Sequence, residues 1–362
     1  MKKLYIAATQ QHDGKTTLAI GLFMAAQKRG LKACFIKPVG QRYLMEEGSK
    51  VDEDAVLFKK ALRAKGNITS LSPITIPRGF TKKYIFNRDP ETILNPIKDS
   101  FNKISQGQDI AIIEGTGHAG VGSVLDASNA AVANLLGADC IIAARGGVGR
   151  CIDEIALNRA LFEQKDVKCL GAVINKVYEE KYDEMLPILR QGLANIDIPC
   201  LGIMPYRDAL TYPTVQLVKE ELELDALTGE DRMDRRVKHT IVAAMEPQNM
   251  VGYIKDGSLV VVPGDRVDNI VTSINAHLMR KDNSDSKIAG LLLTGGLIPH
   301  LSIVNLLCQV DVPVLLSKED TATTAYRVKE LVAKIGPDDR SKLEVTRKLV
   351  EDYVEVDKLL SD

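Results

Sequence analysis

The first segment that could do chemistry is Ala8-Thr9-Gln10-Gln11-His12-Asp13-Gly14-Lys15-Thr16-Thr17, set between an apolar run and an amphipathic one. Glycine, lysine and paired hydroxyls at a strand-to-helix turn make a phosphate loop. Backbone N–H groups of the loop and helix start point at phosphate oxygens. Gly14 lets the backbone approach closely. Lys15 supplies a point charge to the β- and γ-phosphates, and the Thr16 hydroxyl can ligate Mg²⁺, with Thr17 completing the motif. The usual first glycine is replaced by Thr9. The alternative is a chance turn with an exposed lysine, which the strand–loop–helix setting disfavours.

Other polar residues end other apolar runs. Glu114 closes Asp109-Ile-Ala-Ile-Ile and precedes Gly115-Thr116-Gly117-His118. A carboxylate at the C-terminal end of a parallel strand faces the ligand crevice. Glu114 would hold Mg²⁺ directly or through water, or else be a solvated strand end. Lys37, in Lys37-Pro38-Val39-Gly40, faces the same crevice. There it would meet a γ-phosphate or a developing negative charge; a surface lysine before a turn reads equally well. In Val51-Asp52-Glu53-Asp54, pattern alone favours Asp52 as a helix N-cap with an acidic first turn. The other reading places Asp54 in a Thr16/Asp54/Glu114 oxygen shell for Mg²⁺. Asn175-Lys176-Val177-Tyr178 begins like the guanine-reading Asn-Lys-x-Asp, but Tyr178 replaces the aspartate. That disfavours guanine, while the Asn175 amide can still pair with an adenine edge.

The second half has two similar loops, Gly264-Asp265-Arg266 and Thr294-Gly295-Gly296. Together with Asp320-Thr321 and Thr323-Thr324 they read as a small anion-binding crevice. The equal alternative is tight turns with a local Asp265–Arg266 ion pair. His118 reads as solvated before it reads as a substrate contact, and the run Arg145–Arg150 shapes the crevice, makes a dimer contact or is only a flexible turn.

The elements that must position these residues follow from hydrophobic pattern. Strands are expected at 3–7, 33–36, 109–113, 139–143, 169–174 and 201–203, most of them apolar throughout, as in a parallel sheet covered on both faces. A helix is expected over 15–29, with Gly30 as its C′ cap. The βαβα order gives an α/β fold with a doubly wound, mostly parallel sheet. Residues 216–236 are dense in charge and read as a helical connector. A smaller α/β pattern follows, with strands near 258–262, 289–293 and 312–316 and helices near 267–279, 303–308 and 323–334. A last helix, 340–360, closes the chain. The expected domains are therefore 1–215, a connector at 216–236, and 237–362.

Composition excludes several classes. The 47 Lys and Arg balance the 48 Asp and Glu among 362 residues, so no basic excess points to nucleic acid. No apolar run reaches the ~20 residues of a membrane helix. The N-terminus reads as a first strand and not a signal peptide. Six scattered cysteines without a C-x-x-C pair are expected as reduced core thiols of a cytoplasmic protein.

The order Thr9…Gly14-Lys15-Thr16, Lys37-Pro38-Val39, Asp54, Glu114-Gly115, Asn175 and Leu201-Gly202-Ile203-Met204-Pro205-Tyr206 resembles the dethiobiotin synthetase-like branch of P-loop proteins. That branch includes the cobyrinic acid a,c-diamide synthase relatives. The resemblance covers about residues 1–210. It implies ATP and Mg²⁺ as cofactors, with Thr16, Asp54 and Glu114 on the metal. It also implies Lys15 and Lys37 at the phosphates, and Asn175 and Pro205 at the base. It raises Asp54 from cap to ligand, and it implies a homodimer. Pro263-Gly264-Asp265-Arg266, Leu293-Thr294-Gly295-Gly296 and Glu319-Asp320-Thr321 resemble a DRTGG domain, a ligand-sensing module of unnamed ligand. The tandem resembles the N-terminal, non-catalytic region of long phosphate acetyltransferases, so acetyl transfer is not expected. Residues 72–86 lack the substrate segment of true dethiobiotin synthetases. The expected function is Mg-ATP-binding regulation or sensing, with slow hydrolysis at most. The alternative is an ATP-dependent ligase that activates a carboxylate or carbamate.

Overall fold

Six apolar runs become six parallel strands. They are β1 (Lys2–Ala8), β2 (Ala33–Ile36), β3 (Ile110–Glu114), β4 (Asp139–Arg145), β5 (Cys169–Val177) and β6 (Cys200–Pro205). Their order in the sheet is β6-β5-β4-β1-β3-β2, with every pairing parallel. Central strands are buried on both faces, which is why they carry no polar alternation. The order reverses direction around β1, so the loops after β1, β3 and β4 open at one switch point. This computed structural model describes residues 1–279, 288–331, 333, 335–337 and 339–361.

The chain divides into two compact units, Met1–Arg207 with Ile335–Asp362, and Asp208–Lys334. In the first, helix α1 (Lys15–Lys28) starts at Gly14 and is buried almost all round. Gly30 follows its cap with φ 77°. Helix α2 (Glu53–Lys60) follows the hairpin Tyr43–Glu46/Ser49–Asp52, and α3 (Gly149–Gln164) follows β4.

The closing helix corrects two expectations. It breaks into two helices, Arg340–Tyr353 and Val356–Leu360, and both belong to the first unit. The first of them packs on α1, where a Cβ on Gly21 would lie 2.3 Å from Val350. A helix that is apolar all round needs such a second cover. The break has a cause as well. Val354 bridges Gly202, and the Glu355 N–H donates to the Leu201 carbonyl. The edge strand β6 thereby has partners for exposed backbone groups.

The second unit holds β7 (Asp225–Thr228), β8 (His239–Val242), β9 (Ser258–Pro263), β10 (Gly290–Thr294) and β11 (Val314–Leu316). Their order is β7-β11-β10-β9-β8, parallel except for β7. Its helices include α4 (Val267–Leu278), α5 (Leu301–Gln309) and α6 (Thr321–Glu330). The end expected for the last of these, Val332 and Lys334, lies outside the described residues, as does Asp362.

The expected connector 216–236 is instead part of this unit. It contains a helix, Val215–Leu222, and the edge strand β7. Val215, Val218, Leu222, Leu224 and Met233 enter the core beside Leu259 and Val261. The charges that suggested a linker occupy the other face. Among the described residues, no helix is long and apolar enough to cross a membrane.

Candidate functional site

The loop after β1 is held by its own acid. Asp13 Oδ2 accepts the Thr9 hydroxyl and the Gln10 N–H, each at 2.8 Å. Both Thr9 and Asp13 are buried. Thr9, standing where a glycine was expected, thus closes the loop through its hydroxyl. Gly14 has φ 102°, and a Cβ there would lie 1.9 Å from Asn175 Nδ2. This position therefore requires glycine both for backbone conformation and for space. Lys15 is buried, and its ammonium lies 3.4 Å from the Gln10 carbonyl. Burial first, and then the Lys37 charge, lower its pKa. Thr17 shares the first turn of α1.

The acidic side of the site comes from three elements. The Thr16 hydroxyl donates to Glu114 Oε1 at 2.7 Å. Lys37 lies between two carboxylates, 2.7 Å from Asp54 Oδ2 and 2.8 Å from Glu114 Oε1. Asp52 caps α2 by accepting the Asp54 N–H at 3.0 Å. Asp52 is therefore the cap, as the pattern suggests, and the Asp54 side chain is free of that role and pairs with Lys37.

Burial first, then the Asp54 charge, push the Glu114 carboxyl up to about 7. Burial opposes the charged form of Asp54 and of Lys37, but their mutual pairing outweighs it. Asp54 is held below the usual range and Lys37 well above its own. Glu114 Oε2 is buried and has no hydrogen-bond partner among the described residues. Two carboxylates and a hydroxyl form an all-oxygen set suited to a hard divalent cation. The unpartnered Oε2 is a donor such an ion would use.

The base side is less open than expected. Asn175 is buried. Its Nδ2 donates to the Asp13 carbonyl at 3.2 Å, and its Oδ1 accepts the Lys176 N–H at 2.8 Å. The amide thus supports the phosphate loop, leaving one Nδ2 hydrogen to offer. Pro205 ends β6 alongside Val177. Tyr178 and Tyr206 flank these strand ends, with ring centroids 5.6 Å apart.

Several contributors escaped the sequence reading. Besides Asp13, Lys176 Nζ donates to the His12 carbonyl at 2.6 Å. Glu154 Oε1 accepts Gln10 Nε2 at 2.6 Å. Asn129 ties the loop after Glu114 to Tyr5: its Oδ1 accepts the Tyr5 hydroxyl and the Thr116 N–H, and its Nδ2 donates to the Thr116 and His118 carbonyls. Only Asp13 carried a usable signal, an acid inside a glycine-lysine loop.

A family model described as an AAA domain, AAA_26, matches residues 2–214. The chain belongs to this AAA domain family. A DRTGG domain follows at residues 218–331, the tandem that the sequence resemblance implied. The phosphate acetyltransferase of Nitratidesulfovibrio vulgaris is 29% identical over 98% of this chain and 51% of that protein. That of Pseudomonas putida is 26% identical over 98% of this chain and 51% of that protein. The chain thus spans about half the length of the curated relatives it matches. The MinC:MinD cell division protein complex of Aquifex aeolicus gives a TM-score of 0.39 at 18% identity, covering 58% of this chain and 84% of that one.

In the DRTGG domain the glycine amides of the expected crevice are already bonded. The Gly295 N–H donates to the Glu319 carbonyl and the Gly296 N–H to that of Ser317. These amides are engaged by backbone and do not form an open anion nest. The Thr294 hydroxyl lies 2.6 Å from that of Thr321. Asp320 caps α6 by accepting the Ala322 and Thr323 N–H groups. Arg266 pairs with Asp268 at 2.8 Å and not with Asp265, which corrects the expected local ion pair. The guanidinium follows the carboxylate in the first turn of α4, which also complements the helix dipole.

Proposed function

We propose that the chain is a Mg-ATP-binding regulatory or sensory protein, whose AAA domain holds the nucleotide and whose DRTGG domain senses a second small ligand. The observation that carries the reading is the convergence of Thr16, Asp54 and Glu114 beside Lys15, with Glu114 Oε2 buried and unpartnered. In this reading Lys15 and the loop amides bind the phosphates. Thr16, Asp54 and Glu114 hold Mg²⁺, which when bound would draw charge from the β- and γ-phosphate oxygens. Asn175 and Pro205 meet adenine, and Tyr178 leaves no carboxylate to read guanine. In the second domain the accessible groups are the side chains of Asp265 and Arg266, because the neighbouring glycine amides are paired and the Thr294 hydroxyl meets that of Thr321.

Calorimetric titration of ATP with and without Mg²⁺ tests this. The wild type should bind in a Mg-dependent way. Lys15→Ala should bind about ten- to a hundredfold more weakly, the scale of a charged hydrogen bond. Absence of binding to the wild type would overturn the proposal.

One observation favours a second reading. Lys37 puts a second buried cation at the strand end, as phosphoryl transfer from ATP to a carboxylate or carbamate oxygen would use. An amine would then displace phosphate from that acyl phosphate. ADP release that is fast only with a small carboxylate or amine supports this ligase. Slow release whatever small molecule is added supports the regulator.

A further inference from the structure

Lys37 occupies the place that the metal needs. Its ammonium touches Asp54 Oδ2 and Glu114 Oε1, and Thr16 donates to that same Glu114 oxygen. These are the three side chains assigned to Mg²⁺ above. The pair is well screened from solvent: side-chain exposure is 7% for Lys37, 18% for Asp54 and 0% for Glu114. Magnesium sits about 2.0–2.1 Å from its oxygens. It cannot take both carboxylates while an ammonium bridges them, because two cations a few ångströms apart in a buried site repel strongly.

Lys15 and Lys37 face Asp54 and Glu114, with Asp13 close enough to act on Lys15 and Asp52 on Lys37. A divalent cation entering beside both ammoniums meets their repulsion, which phosphate charge arriving with it would offset.

We infer that Lys37 is the resident counter-ion of the metal site: its ammonium and a divalent cation hold the Asp54–Glu114 pair alternately, and the exchange makes metal binding depend on phosphate binding. This rests on the Mg-nucleotide reading and adds the order of events to it. Metal without phosphate is excluded by Lys37. Metal with phosphate displaces the ammonium, which is then free to meet the incoming anion.

The test uses Mn²⁺ alone, with no nucleotide present, and reads free Mn²⁺ by electron paramagnetic resonance. The wild type should bind it weakly. Lys37→Met, which keeps an unbranched side chain one atom shorter and removes the charge, should bind it about tenfold more tightly or better. Lys37→Gln is measured beside it, so that a misfolded methionine variant does not decide the result. The gain should vanish when Glu114→Gln is added to either. Variants that bind no more tightly than the wild type, or a gain that survives Glu114→Gln, would overturn the exchange. ATP binding without the Mn²⁺ gain fails the exchange alone. A Mn²⁺ gain in a chain that binds no ATP fails the nucleotide reading alone.

Discussion

The two units present the same motif with opposite outcomes. Each has glycine- and threonine-rich loops at the C-terminal ends of parallel strands. Around Lys15 the fold leaves polar capacity unused: Glu114 Oε2 has no partner, and two buried lysines crowd two carboxylates. Around Thr294 the same residue types satisfy one another, with Gly295 and Gly296 bonded to backbone carbonyls and Asp320 capping its own helix. Buried polar groups are normally satisfied, so an unpartnered carboxylate oxygen beside buried lysines marks where a ligand is expected. Composition alone cannot separate the two cases. The difference lies in which neighbouring strand end supplies a partner.

The comparison breaks hardest at Gly264. A Cβ there would lie 1.7 Å from the Leu297 carbonyl oxygen, which is backbone and cannot move aside cheaply. Gly264→Ala should cost about 3 kcal/mol. Hydrogen exchange should show the loss confined to the second unit, with ATP titration unchanged. Loss of nucleotide binding instead would show that the two units are not separable in this way.

A smaller effect separates the charged cluster from ordinary packing. Glu114 is pushed up from 4.5 to about 7, by burial first and Asp54 second. Between those values the unfolded chain has released the proton while the folded chain still holds it. Stability therefore falls as pH rises through that window. Without metal, the wild type should lose about 2 kcal/mol relative to Glu114→Gln between about pH 5 and pH 8. Paired denaturation curves at the two pH values check this. The lowered Asp54 acts below its ordinary value of 3.8, outside the window.

Asp54→Ala tests the proposed metal shell more gently. It should weaken ATP binding about tenfold in the presence of Mg²⁺ and leave Mg-free binding unchanged, since one of three oxygen ligands is lost. Calorimetry in both conditions reads the difference. Equal loss in both would assign Asp54 to holding Lys37 alone.

Much of this was legible from residue types. Strong local signals placed the six strands of the first sheet, α1 with its Gly30 cap, and the loop from Thr9 to Thr16. Asp54 needed more than pattern, because an acidic first turn is also what a helix N-terminus wants on its own. Asp13, Asn129 and Lys176 act on backbone carbonyls and N–H groups that are remote in sequence or set by loop conformation, and no spacing rule encodes such partners. The edge strand β7 was hidden because its charges read as solvated linker while its apolar neighbours face the core. The closing helix belongs to the first unit, which sequence adjacency to 331 does not reveal, because Val350 packs against Gly21, more than three hundred residues earlier.

Asp320 gives the smallest and most selective prediction. Its carboxylate accepts the Ala322 and Thr323 N–H groups at 2.9 and 3.0 Å and the Thr323 hydroxyl at 2.6 Å. These bonds hold its pKa below the usual carboxylate range, led by the Thr323 hydroxyl. A cap of this kind contributes about 1 kcal/mol. If its role is only to cap α6, Asp320→Asn should lose a few tenths of that, because asparagine caps nearly as well, and Asp320→Ala should lose about 1 kcal/mol. If instead the carboxylate holds a ligand of the DRTGG domain, asparagine should fail as badly as alanine in any assay that reads the ligand. Hydrogen exchange over 317–330 in both variants compares the two losses. A graded loss keeps the second unit's loops structural at this helix end, while equal failure would give the second unit a charged site of its own and erase the contrast with the first.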